Sequence, residues 1–247
     1  MSSTHAVRAR GMPLLAGVDG CRAGWVVVLA HPLARNAQEH QVRLCASFDD
    51  VLRLEPAPAV VAVDIPIGLL VEPQPGGRDC DRRARQLLGR RASSVFTPPI
   101  RPLLDATHYE HVRPYGVSVQ AFNILPKIRE VDRLMTPALQ QRVYEAHPEL
   151  AFRSLAGHPL ASRKKTMTGR KERLRLLEHI PGPLFHGIRP AFAHALQGFK
   201  RIHVAPDDLL DAYVLVWTAL RIWRAHASRV PPVPPCDAKG LRMEIWA

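Results

Sequence analysis

The sequence predicts an α/β fold. Its core is a mixed five-stranded sheet, an antiparallel hairpin plus parallel strands, flanked by helices and interrupted by a helical and irregular insertion. Three observations carry this. Residues 14–19 and 25–30 are apolar runs joined by Gly-Cys-Arg-Ala-Gly, too short a link for anything but an antiparallel hairpin. Residues 59–64, Ala-Val-Val-Ala-Val-Asp, are apolar on both faces, as a central parallel strand is. Residues 207–226 are apolar almost all round for three turns, which describes a buried helix.

The elements follow in order. Residues 1–13 carry Arg8 and Arg10 without an apolar run behind them and read as a disordered tail, not a signal peptide. After the hairpin, 41–47 alternates as a third strand. Ser47 followed by Asp50 resembles a capping box and starts a short helix through about Leu54, which Pro56 and Pro58 end. The parallel strand at 59–64 is stopped by Pro66 and Gly68. Residues 72–140 then break the β/α rhythm. They hold an Arg-rich helix at 79–88, an irregular Pro-rich stretch at 94–102 and a helix at 118–135 perturbed by Pro126. A fifth strand is expected at 143–147, a basic loop at 161–171 and a helix at 171–179. A Pro-rich linker at 231–235 precedes an apolar tail. From residue 14 onward the chain reads as one domain.

Charge speaks to partners. The net charge of +12 points to a polyanion, most simply nucleic acid. Cys21, Cys45, Cys80 and Cys236 form no Cys-x-x-Cys pair, which argues against zinc and for a reducing cytoplasm. The longest apolar stretches are interrupted by Asp64 and Asp211, so no membrane span is expected. Aromatic residues make up only 6% of the chain, which favours recognition of backbone or of structured and duplex nucleic acid over base stacking.

Asp211 is the strongest single signal. It lies inside the buried helix, where an unpaired carboxylate costs several kcal/mol, roughly, or is forced neutral. Asp208 stands three residues earlier on the same side, although Asp207 and Asp208 also suit a helix start. Asp19 and Asp64 each close an apolar strand, where open α/β sheets build their sites. If those strands are parallel neighbours, their carboxylates can share one cation. Hard oxygen donors favour Mg²⁺ or Mn²⁺.

Several runs carry a resemblance. Gly-Val-Asp-Gly-Cys-Arg-Ala-Gly-Trp at 17–25 looks like the first hairpin of ribonuclease H-like proteins. Asp208-Leu-Leu-Asp211-Ala resembles the paired acids on the last helix of the Holliday-junction-resolvase branch. Val63-Asp64-Ile-Pro-Ile-Gly68, Arg78-x-Cys-Asp81-x-x-Ala-Arg85, Ser93-Ser-Val-Phe-x-Pro-Pro-x-Arg101, Gln120, Lys127-Ile-Arg-Glu-Val-Asp132 and Glu145-Ala-His-Pro-Glu149 follow in order. Together they are similar to domain-of-unknown-function family 429, described as predicted nucleases with a ribonuclease H-like fold. The resemblance implies a divalent-metal-dependent phosphodiester hydrolase. Asp19, Asp64, Asp208 and Asp211 would hold two ions, and Glu145 would face the same cleft. Glu149 is an acid of less defined role, and His147 is either a ligand or proton carrier or an ordinary core or surface histidine. Arg85, Arg101, Lys127, Lys164, Lys165 and Arg170 would contact phosphates.

Three rivals stay open. A sugar-kinase-like phosphotransferase would need two such domains, which a chain of this length supplies only as a homodimer. The others are a hydrolase of a small phosphorylated metabolite and a non-catalytic nucleic-acid-binding protein.

Overall fold

A computed structural model describes residues 13–247. The expected tail falls almost wholly on residues 1–12, outside the described residues.

The five-stranded sheet has the order β3-β2-β1-β4-β5. β1 (Leu14–Cys21) and β2 (Gly24–Ala30) form the antiparallel hairpin, and β3 (Gln41–Cys45) extends it. The fold turns parallel at β4 (Pro58–Val63) and β5 (Val143–Glu145). Val18 pairs with Val63, and the Asp64 amide donates to the Val18 carbonyl at 3.0 Å. The next residues, Asp19 and Asp64, therefore leave neighbouring parallel strands side by side. Ser47 starts α1 (Phe48–Leu52) with a complete capping box, as its spacing predicts.

The insertion contains α2 (Asp79–Leu88), α3 (Tyr109–Val112), α4 (Val119–Asn123) and α5 (Leu125–Leu134). The single helix expected over 118–135 is two. Pro126 lacks an N–H and crowds the preceding turn, so the chain breaks at Ile124 and Pro126 sits in the first turn of α5. After β5 come α6 (Pro148–Ala156) and α7 (Met167–Glu178). α7 begins four residues earlier than expected, because the Thr166 hydroxyl caps the Gly169 amide at 3.0 Å. α8 (Ile188–Gln197) is a helix not anticipated from the sequence, and it packs Ile188, Ala191, Phe192, Ala195 and Leu196 at helical spacing on the core. α9 (Pro206–Trp223) is the buried late helix. β6 (Arg229–Val230) and β7 (Ile245–Trp246) pair antiparallel and tie the tail back to the body.

The sheet is buried on both faces, and the strand alternation assigns each residue to one. Leu15, Val26, Val28, Val60 and Ala62 pack under α9. Ala16, Val18, Val61 and Val63 pack with Phe48 of α1 and with Ile128 and Val131 of α5. α9 lies so close on β1 that a Cβ built on Gly17 would stand 2.1 Å from the Ala212 carbonyl oxygen and 2.4 Å from the Val216 nitrogen. Only glycine allows that approach. Among the described residues, no helix is long and apolar enough to cross a membrane.

Candidate active site

Asp19 has the same parity along β1 as Leu15 and Gly17, and Asp64 the same parity as Val60 and Ala62, so both acids emerge on the α9 side. α9 brings Asp208 and Asp211 to the same place. All four line one cavity of about 570 Å³. The convergence expected of residues distant in the chain is thus present. Glu149 and His147, at the start of α6, line the same cavity. The insertion adds Arg91, Ser94, Phe96, Gln120, Asn123 and Lys127 to the wall.

The electrostatics are those of crowded anions. Burial raises the Asp19 carboxyl well above its ordinary range, and repulsion from Asp64, Asp211 and Asp208 raises it further. Burial also lifts Asp64, against the attraction of His147 and Lys164. Asp211 is pushed up to about 6 by burial, with Lys164 opposing. Asp208 is raised by burial too, although its Oδ2 accepts the Ala205 amide at 2.9 Å and so also caps α9. The Lys164 ammonium donates to Asp211 Oδ2 at 2.5 Å, and its charge also acts on Asp19 and Asp64. Asp211 Oδ1 is buried and has no hydrogen-bond partner.

Lys164 is delivered by a braced loop. Arg173, fully buried on α7, donates to the Ser162 carbonyl at 3.2 Å, to the Gly169 carbonyl at 3.1 Å and to Glu149 at 2.5 Å. Gly169 packs directly on the Arg163 carbonyl, 2.0 Å from where a Cβ would stand. Glu149 Oε1 takes Arg91 as well, at 3.2 Å, while its Oε2 is buried without a partner. His147 Nε2 lies 3.2 Å from the Ser94 carbonyl oxygen, to which its protonated tautomer donates. Its Nδ1 is then an acceptor, and it has no partner.

Several expected site residues stand elsewhere. Glu145 is the clearest correction. It shares parity with Val143, which packs on the opposite face of the sheet, and its carboxylate is taken by Arg78 at 2.6 and 2.8 Å and by the Ile67 amide at 2.6 Å. It does not line the cavity. Arg85 holds a loop, donating to the Val95 and Gly76 carbonyls and to the Thr97 hydroxyl. Arg101 is committed to Asp132 and Asp237. Neither is free for a phosphate. Lys127 does line the cavity, but its ammonium donates to the Gly24 carbonyl at 2.6 Å and sits 4.7 Å above the Trp25 ring. Lys165 is exposed and Arg170 half-buried, both outside the cavity lining. Arg91, Phe96 and Asn123 lie in the cavity wall without having been singled out as site residues. Only their place inside or beside the quoted motifs hinted at it.

Among the described residues, no group of three or more His, Cys, Asp or Glu side chains is arranged to hold a metal ion as it stands. The four aspartates share a cavity rather than a coordination shell, and the Lys164 ammonium neutralises part of their charge. Their chemistry nevertheless fits a hard cation. The donors are carboxylate oxygens, one buried oxygen is unpaired, and burial, with repulsion between neighbouring acids added, holds their proton affinities high.

The fold and the site define an α/β protein with a carboxylate cluster at the C-terminal ends of two parallel strands. The chain belongs to the family described as Protein of unknown function (DUF429), whose sequence profile matches residues 17–235. No curated protein and no solved structure matches it.

Proposed function

We propose that this protein is a divalent-metal-dependent phosphodiester hydrolase, a nuclease of ribonuclease H-like architecture acting on structured nucleic acid. The observation that carries the proposal is the convergence of Asp19, Asp64, Asp208 and Asp211 on one cavity from two parallel strand ends and one helix. The strand order β3-β2-β1-β4-β5, with its antiparallel hairpin and parallel continuation, supports the architectural half. The charge of +12 supports a polyanionic substrate.

Asp19, Asp64, Asp208 and Asp211 would hold Mg²⁺ or Mn²⁺. When bound, such ions make water more acidic and offset the charge of a leaving oxygen. The other roles fall to the chain itself. The His147 imidazole, fixed by the Ser94 carbonyl, can accept a proton at Nδ1. Glu149, gripped by Arg91 and Arg173, keeps one free oxygen to orient water. Lys164 and the exposed Arg22 bring positive charge to an arriving phosphate. A second reading, hydrolysis of a small phosphorylated metabolite, draws support from the cavity volume of about 570 Å³, which suits one small molecule.

A cleavage screen over branched, duplex and single-stranded DNA and RNA with Mg²⁺ or Mn²⁺ tests the proposal. Cleavage should need the metal and fall by at least ~10³-fold in Asp19→Asn and Asp211→Asn. Cleavage that survives both substitutions would refute it. Phosphate release from small phosphate esters with nucleic acid untouched would favour the second reading.

A further inference from the structure

The insertion brings to the cavity a chemistry that phosphodiester hydrolysis does not use. Gln120 and Asn123 stand three residues apart on α4 and so share one helical face. Both are exposed, both line the cavity, and neither carboxamide hydrogen-bonds to another described residue. The half-buried ring of Phe96 belongs to the same wall.

These groups are held firmly. The Ser118 hydroxyl accepts the Ala121 amide at 3.1 Å and caps α4. Ala121 is buried with Val112 and Val117. The Phe122 and Tyr109 rings meet at a tilt with centroids 5.7 Å apart, and Phe96 packs against this small core. Exposed amides on a surface helix are ordinarily only solvated. Here an anchored helix presents two carboxamides that, with an aromatic ring, line the same cavity as the aspartates.

A carboxamide offers one acceptor and two donors, which matches the edges of nucleobases and has little to offer a metal. An aromatic ring offers a stacking face. A cavity of about 570 Å³ encloses a small molecule, not a duplex. We infer that Gln120, Asn123 and Phe96 form a nucleobase subsite, so that one unpaired or extruded nucleotide enters the cavity with its phosphate toward the aspartates. Only the placement of the phosphate rests on the proposed hydrolase. Extruding a paired base breaks its pairing and stacking, so unpaired positions in structured nucleic acid are the preferred targets.

The test is titration calorimetry of the full chain with AMP, GMP, CMP and UMP, and with ribose 5-phosphate as the probe lacking a base. At least one nucleotide should bind about tenfold or more tighter than ribose 5-phosphate, and Gln120→Ala with Asn123→Ala should shrink that gap to about threefold or less. Both residues are exposed, so the double variant is expected to fold, and circular dichroism checks that it does. The inference is overturned if no nucleotide binds tighter than ribose 5-phosphate, whether both bind or neither. It is equally overturned if the gap survives the double variant. Cleavage is not read, so the two ideas can fail separately. Base-dependent binding by a protein that cuts nothing keeps the subsite and removes the hydrolase. Metal-dependent cleavage without base discrimination does the reverse.

Discussion

At the scale of single residues, Asp211 and Lys164 govern the site. Asp211 is buried with one oxygen on Lys164 and the other unpaired. Its proton affinity is raised from 3.8 to about 6, so between those values the folded state binds more protons than the unfolded one. Stability contributed by this group is therefore highest at low pH and falls as pH rises through about 6. Calorimetric melting of the metal-free protein between about pH 5 and about pH 7.5 should show this decline, with a smaller slope in Asp211→Asn. Parallel profiles for the two proteins would contradict it. Lys164 is a tethered cation at the place where the anions gather, and a divalent ion must compete with it. Lys164→Met should tighten Mn²⁺ binding about tenfold by calorimetry; unchanged affinity would assign Lys164 to phosphate contact alone. Asp211 was legible in the sequence because an acid inside an apolar helix needs a partner. The partner was not legible. Nothing in 161–171 distinguishes Lys164 from Lys165 until Arg173 and Gly169 brace the loop.

At the scale of elements, close packing sets where the acids point. α9 rests on β1 through Gly17, two residues before Asp19, so the same contact fixes the depth of the helix and the approach of Asp211. Gly17→Ala should cost about 3 kcal/mol in denaturant unfolding and weaken Mn²⁺ binding with it. An alanine tolerated without loss would mean that α9 is not seated by this glycine. Arg173 is the strap between α7, the loop before it and α6. Arg173→Met leaves Glu149 with Arg91 alone and should destabilise by about 3 kcal/mol in the same assay. Strand alternation explains the correction at Glu145. The Glu-Ala-His-Pro-Glu run placed acids near the site, but a β-strand sends alternate residues to opposite faces, and Glu145 went to Arg78. Glu149 and His147, past the strand end, reached the cavity instead. The hairpin, the capping box at Ser47 and the Asp79–Leu88 helix were all readable from local pattern. α8 was not expected, although Ile188, Ala191, Phe192, Ala195 and Leu196 have helical spacing, because Pro190 and the flanking Gly187 and Gly198 carry the local signature of a loop.

At the scale of the whole molecule, the sheet and α9 supply the acids and the insertion supplies much of the wall around them. The basic excess does not concentrate where sequence motifs suggested. Arg78, Arg85 and Arg101 are spent on holding the insertion and the tail together. Motif arginines looked like phosphate contacts because a sequence does not display the carboxylates and carbonyls they fold against. The central claim is that Asp19, Asp64, Asp208 and Asp211 act together on a shared cation. Titration of the metal-free protein with Mn²⁺, followed by calorimetry, tests it most directly. The account predicts saturable binding to the wild type, weakened at least about tenfold in both Asp19→Asn and Asp211→Asn while the fold persists. A wild type that takes up no Mn²⁺, or variants that bind it as tightly, would contradict the account.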